Sequence, residues 1–385
     1  VSTSARERVG LLVIAREWSR LGFIGFGGPP THIALLRKLC VDQNQWMDAN
    51  EFEDAIATTN LLPGPASTQL AIYCAWRLRG RVGAVIGGVC FIVPGLVIIL
   101  ALASVYLARH PPTWILGATA GAGAAVSAVA LSAAWRLAPA SWTRRASGRG
   151  ATARWVIYAL IGGVVSATEG EYLVLALIAC GACEVALRRV PRQSPALLIA
   201  GTSAHLVVAG GLGALTWVAL KVGALSYGGG FVIIPLMQHD VVTTYHWMSA
   251  TQFLGAVALG QLTPGPVVQT VAVVGYAAAG VGGGLLAAAV AFAPSFLFVL
   301  VGAPRFDRVR TNSTVRSFFA GAGPAVIGAI AGSSIPLGLA LKFTWQIPIL
   351  AGALLWLFVA RRGVVSLFVL AALTGTSLAL AGVHV

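Results

Sequence analysis

The sequence predicts an all-α polytopic membrane protein, an inverted-topology tandem repeat of broken transmembrane helices with about thirteen crossings. Three observations predict it. Of the 385 residues, 57% are hydrophobic and only 10% charged, with a mean hydropathy of +0.84, whereas a soluble domain carries about 25% charged residues. Apolar runs of about twenty residues, the length a helix needs to cross hydrocarbon, recur along the whole chain. The chain also repeats itself in register.

In chain order the apolar runs predict crossings at 21–40, 55–76, 83–108, 113–135, 154–168, 171–187, 193–214, 217–236, 255–276, 282–303, 317–340, 346–360 and 364–381. The runs 154–168 and 346–360 are short enough to be half-spans, and the broken segments are alternatively re-entrant pairs, which changes the count. Basic residues fall between the runs: "RLRGR" at 77–81, Arg136 to Arg154, "RRVPR" at 188–192, Arg305 to Arg316, and Arg361–Arg362. That is the pattern of cytoplasmic loops. It puts the amino terminus in the cytoplasm and the carboxyl terminus outside, with the chain multi-pass in the inner (plasma) membrane. It also explains the net charge of +14 without nucleic acid and makes anionic membrane lipids the partner of the loops. The start, "VSTSARERVG", leads into an amphipathic stretch and not a cleavable signal, so the first membrane segment is expected to direct insertion. The cysteines lie mostly within apolar runs, and "CGAC" at 180–183 has no second pair or histidine nearby. No metal, redox centre or cofactor is expected.

A shift of 201 residues lays Phe26-Gly27-Gly28 on Tyr227-Gly228-Gly229, Trp46 on Trp247, and "PGP" at 63–65 on "PGP" at 264–266. After one net deletion, a shift of 200 lays Gln69 on Gln269, Gly80 on Gly280, Pro94 on Pro294, and "GAGAAV" at 121–126 on "GAGPAV" at 321–326. Residues 1–140 and 216–385 therefore read as two transmembrane repeats, with linking transmembrane helices over 141–215. Charge changes sides between them. "RLRGR" matches the uncharged "YAAAG" at 276–280, while the basic "RFDRVR" at 305–310 matches a stretch whose polar residues are Arg109 and His110. Basic loops on opposite ends of matched segments imply opposite topology.

Each repeat carries two interruptions, a glycine-rich one ("FGGPP", "YGGG") and a "PGP" ("NLLPGP", "QLTPGP"). Irregular backbone at membrane depth is tolerated where it is buried in protein or lines a wet cavity. A helix that restarts after a break presents free N–H groups and its positive dipole end, and proline suits its first turn. Such an end attracts oxyanions, so four related breaks predict a site for a small multivalent anion. Candidate binding residues are Gly27, Gly28, Pro29, Pro63, Gly64, Pro65, Tyr227, Gly228, Gly229, Gly230, Pro264, Gly265 and Pro266 at the breaks. Beside them stand the matched amides Asn60 and Gln261, and Gln69 and Gln269. Thr31, Thr68, Thr263 and Thr270 add hydroxyls; amides and hydroxyls at these places also serve as glue between helices.

Arg20 and Lys221 are matched, each six residues before the aromatic–Gly–Gly. Arg20 belongs to the basic start. Lys221 reads as an isolated cation toward the outer face, either drawing the anion in or snorkelling to the interface. The acidic stretch 42–54 reads as a solvated outer loop or as a gating or proton-handling element. His32, beside the double proline, either carries a coupled proton or is a hydrogen-bonded structural residue.

"GFGGPPTHIALL" followed by "LLPGPASTQLA", with the second copy "SYGGGFVIIPLM" and "QLTPGPVVQTVA", resembles the chromate ion transporter family. The resemblance spans both repeats and rests on Phe26, Gly27, Gly28, Pro29, Pro63, Gly64, Pro65 and Gln69, then Gly228, Gly229, Gly230, Pro264, Gly265, Pro266 and Gln269. Pro-Pro in place of a single proline and Tyr227 in place of phenylalanine depart from the family pattern. The resemblance implies transport of chromate, a tetrahedral dianion, outward across the bacterial inner membrane, giving chromate resistance. The residues alone also fit sulfate, another inorganic anion, or an anion channel, and proton coupling and a homodimer stay open. An enzyme is not expected: HExxH, GxSxG, P-loop and paired intramembrane carboxylates are all missing from the sequence.

Overall fold

The computed structural model describes residues 9–60, 62, 64–143, 145, 150–168, 170–188, 211–226, 231–303 and 312–384. Among these residues the structure is all helix, with no strand. The first half of the chain holds α1 (Leu11–Ile24), α2 (Pro29–Arg37), α3 (Ala49–Thr59), α4 (Ala66–Tyr106) and α5 (Thr113–Thr143), followed by α6 (Ala151–Thr168) and α7 (Leu173–Leu187). The second holds α8 (Leu212–Leu225), α9 (Ile233–His239), α10 (Ala250–Leu262), α11 (Thr270–Gly302), α12 (Ser313–Leu339), α13 (Gln346–Leu354) and α14 (Val364–Leu380). Among the described residues six helical stretches suit a membrane crossing by length and composition: α4, α5, α6, Gly170–Leu187, Val267–Gly302 and α12. The chain is thus a multi-pass membrane protein. Val85, Val89, Val93 and Val97 form an exposed apolar stripe along α4 at the i, i+4 spacing of one helix face, as a lipid-facing surface does.

Local signals set the helix starts alike in both halves. Asp48 caps α3 by accepting from the Glu51 amide at 2.8 Å. Its counterpart Ser249 opens α10 with a reciprocal box, in which Gln252 N donates to Ser249 Oγ and Ser249 N to Gln252 Oε1. Both α2 and α9 run on into a wide π-type turn, Lys38–Gln43 and Asp240–Thr244. Gln45 and His246 then take the same positive φ, 51° and 52°.

The longest helices are not straight rods. A Cβ placed on Gly275 would lie 2.7 Å from Ala287 Cβ, although a straight helix holds those residues about 18 Å apart. The chain of α11 therefore turns back on itself at Ala279–Gly280, where helical geometry fails. α4 does the same at Arg79–Gly80, with Gly87 against Ala75. The long arms of α4 and α11 then pack together, Gly88 on Phe296 and Gly284 on Leu100, so they run antiparallel and their turns lie at opposite ends. α5 and α12 are antiparallel too: Ser127 Oγ donates to Ser334 O at 2.6 Å, while Ser141 lies beside Gly323.

Close helix packing is built on small residues. Gly162, Gly328 and Gly332 leave no room for a Cβ where α6 meets α12, nor do Gly117 and Gly375 where α5 meets α14. α6 and α7, assigned to a linker from sequence, stand against α12 as α13 and α14 stand against α5.

The segments 21–40 and 55–76, expected as crossings, are each broken between two helices. Arg37 pairs with Glu53 and Arg77 with Glu51, so the outer ends of α2, α3 and the short arm of α4 come together while both breaks point away from them. The same pairs correct the placing of the acidic stretch 42–54. It shares the end of the basic turn 77–81 because opposite charges meet there. The crossing expected at 193–214 falls outside the described residues up to 210.

Candidate functional site

The breaks of the two halves meet. Gly25 ends α1, and Gly28 precedes Pro29 and Pro30 in the first turn of α2. The Gly25 carbonyl accepts from Gly265 N of the second "PGP" at 2.9 Å and from His32 Nε2 at 2.9 Å. With Nε2 donating, His32 Nδ1 accepts from Ser67 Oγ at 3.2 Å. His32 is 1% exposed and packs edge-on against Phe91. Both ring nitrogens are engaged, so His32 ties the first break to the start of α4 and, through Gly25, to the other half.

Each "PGP" is wedged against the long arm of the opposite half. Gly64 has φ +114°, a conformation that only glycine adopts without strain. A Cβ there would lie 2.6 Å from Gln69 Nε2 and 3.4 Å from both Gly223 O and Ser295 Oγ. Pro264 presses its carbonyl on Gly95, and Gln269 Nε2 donates to Ile92 O at 2.7 Å. Gln269 thus spends a donor on joining helices. Thr263 and Thr270 likewise bond backbone carbonyls within their own segments, and Thr31 Oγ1 stands beside Gly27.

A cavity of about 460 Å³ opens where these elements meet. Of the candidates read from sequence, Gly27, Pro29, Asn60, Gly64 and Gln261 line it. Gly28, Thr31, Pro65, Gln69, Pro264, Gly265, Pro266 and Gln269 are not among the lining residues and form its support. Pro63, Tyr227, Gly228, Gly229 and Gly230 lie outside the described residues; their neighbour Phe231 lines the cavity. Buried polar atoms without a hydrogen-bond partner gather around the breaks: Thr68 Oγ1, Ser226 Oγ, Gln261 Nε2 and Ser295 Oγ. Each of these is able to donate, and Gln269 Oε1, an acceptor, is likewise without a partner.

Lys221 does not reach this cavity. It pairs with Asp240 across the third break, and the two side chains are 10% and 14% exposed. The isolated cation expected from sequence is a half-buried ion pair, because the π-type turn after α9 brings Asp240 alongside α8. Arg20 bonds Glu17 at 3.6 Å on the surface of α1.

The sequence reading missed the wall contributed by α5. Ser132, Arg136 and Ser141 line the cavity, and Arg136 is the one charged residue that does so among the described residues. Reading Arg136 as the first member of a basic loop hid it. The signal was its position inside α5, one turn after Ser132, where the matched position of α12 is the uncharged Pro336.

The sequence profile of the family described as "Chromate transporter" matches residues 12–202 and 213–376. The chain is 35% identical to the chromate transport protein of Cupriavidus metallidurans over 329 residues, covering 83% of this chain and 80% of the relative. It is 28% identical to the probable chromate transport protein of Synechococcus elongatus (84% of each chain). With the chromate transport protein of Pseudomonas aeruginosa it shares 29% identity over 83% of this chain and 79% of the relative. No solved structure matches.

Proposed function

The chain belongs to the chromate transporter family, and from that premise we propose that it exports chromate from the cytoplasm, holding the dianion in the cavity between the broken helices. The chemistry of that cavity carries the reading. Asn60, Ser132, Arg136, and Gln261 with its unpartnered Nε2 supply donors, and no carboxylate lines the wall among the described residues. A tetrahedral dianion brings the negative charge that such a wall lacks and accepts from its donors. The positive dipole end at the start of α2 acts in the same sense.

The antiparallel long arms of α4 and α11, with the basic turn 77–81 at one end and its uncharged counterpart 276–280 at the other, support an inverted repeat. The separate profile matches in each half support the duplication. On this reading the four broken segments are re-entrant pairs whose tips carry the breaks. Eight crossings then remain among the described residues: the long arms of α4 and α11, α5, α6, α7, α12, α13 and α14. The cavity is lined by the last turns of α5 and the first turns of α12, which adjoin the basic stretches after 136 and before 316. That end is cytoplasmic by the positive-inside rule, so the substrate is taken up from inside and its export gives resistance.

Uptake of labelled chromate and sulfate into inside-out vesicles, with and without a pH gradient, tests the proposal. Chromate accumulation that depends on the protein supports it. Uptake of neither anion overturns it, a preference for sulfate reassigns the substrate, and a flux indifferent to any gradient makes the protein a channel.

A further inference from the structure

We infer that Arg136 is the residue that engages the charge of the transported anion, at the cytoplasmic mouth of the cavity, and that its guanidinium selects tetrahedral dianions. The inference rests on the anion-transport reading above. A dianion entering a partly apolar cavity needs a formal counter-charge close by, because amide and hydroxyl donors alone leave its net charge uncompensated. Two cations come into question. Lys221 is consumed: Asp240 neutralises it, and neither residue lines the cavity. Arg136 lines the cavity, and no carboxylate pairs with it among the described residues.

Its place on α5 suits capture. Twenty-three residues beyond Thr113, Arg136 lies about 35 Å along the helix, just past a hydrocarbon core of about 30 Å. It therefore sits where cytoplasmic water ends, and it is exposed on one side while lining the cavity on the other. Ser132 stands one turn deeper on the same face, and Asn60, Gly64 and Gln261 line the cavity with them. A planar fork of N–H donors matches two oxygens of a tetrahedral anion at once, which an ammonium does not. The arrangement is also unsymmetrical. At the shift of 200, Ser132 and Arg136 match Gly332 and Pro336 of α12. The pseudo-symmetric mouth at the opposite end has no equivalent of this fork on its matched helix, so an anion is held at the cytoplasmic entrance and is not held in the same way on the far side.

Two experiments test this. The first compares Arg136→Gln and Arg136→Lys with the parent in inside-out vesicles, using chromate and sulfate at low and high ionic strength. The Gln variant is expected to raise KM about 10- to 100-fold with a smaller effect on kcat. The Lys variant is expected to recover only part of that loss and to become more sensitive to salt, since it keeps the charge and loses the fork. An unchanged KM in a Gln variant that inserts normally, or full recovery by Lys, makes Arg136 an interfacial anchor and overturns the inference. The second uses the unaltered protein in detergent: phenylglyoxal modification mapped by mass spectrometry, with and without sulfate. Sulfate is expected to protect Arg136 and not the loop residues Arg361 and Arg362; equal labelling at all three overturns the inference even if the variants fail to fold. Absence of transport by the parent protein for both anions strikes the transport reading instead, and the two failures are told apart.

Discussion

Replacing Gln261 by leucine separates binding from packing, because the two roles predict changes of opposite sign. Gln261 is 6% exposed and its Nε2 has no hydrogen-bond partner, yet it lines the cavity. A buried donor left unmet costs about 1–3 kcal/mol. Leucine has nearly the same volume and no donor, so the empty protein should gain stability up to about that amount. In the loaded protein the amide donates to an anion, a charge-assisted bond worth about 1.5–3 kcal/mol, and its loss should weaken affinity about 10- to 150-fold. The assay is the apparent melting temperature of purified protein with and without sulfate or chromate, paired with KM from vesicle uptake. The leucine variant is expected to melt at or above the parent when empty, to lose most of the anion-induced rise, and to show a raised KM. A variant that melts lower than the parent and keeps the full anion-induced rise would refute the reasoning, since that is the behaviour of an amide gluing helices together.

Cysteines placed at Arg79 and Ala279 should react with impermeant thiol reagents from opposite sides of the membrane; labelling from one side alone removes the inversion. Breaking the half-buried Lys221–Asp240 pair by Lys221→Met or Asp240→Asn should cost on the order of 1–3 kcal/mol, read as a lower melting temperature. The double replacement Lys221→Met with Asp240→Leu should restore most of it while leaving KM near the parent value, and a large rise in KM there would return Lys221 to the binding site. His32→Ala should destabilise by about 1–3 kcal/mol, because Ser67 and Gly25 lose a buried partner, and the pH profile of transport should keep its shape. A profile that flattens in this variant would show that His32 carries a proton.

Whatever depends on neighbouring residues in the chain was legible without coordinates. Low charge and recurring apolar runs are enough to define a helical membrane protein, since an unpaired backbone group in hydrocarbon leaves no alternative for such runs. The breaks at "FGGPP" and "PGP" are equally local: proline lacks the donor and glycine takes the conformation, as at Gly64, wherever the segment is put. The family resemblance rests on the same tripeptides. Side-chain partners were not legible, because they arise when separate segments fold onto one another. Lys221 seemed solitary until the turn after α9 returned Asp240 to it across the break. The acidic stretch 42–54 seemed to face the other side from the basic turn until α3 and the short arm of α4 brought Glu51 to Arg77. Arg136 passed for a loop residue, and only the packing of α5 beside the breaks, with Asn60 from one half and Gln261 from the other, makes it part of a cavity. The sequence by itself determined where the backbone must fail as a helix, because that is a covalent property of glycine and proline. Which charges are cancelled and which remain to meet an anion was decided by the tertiary structure, because electrostatic energy depends on distances that only the folded chain creates.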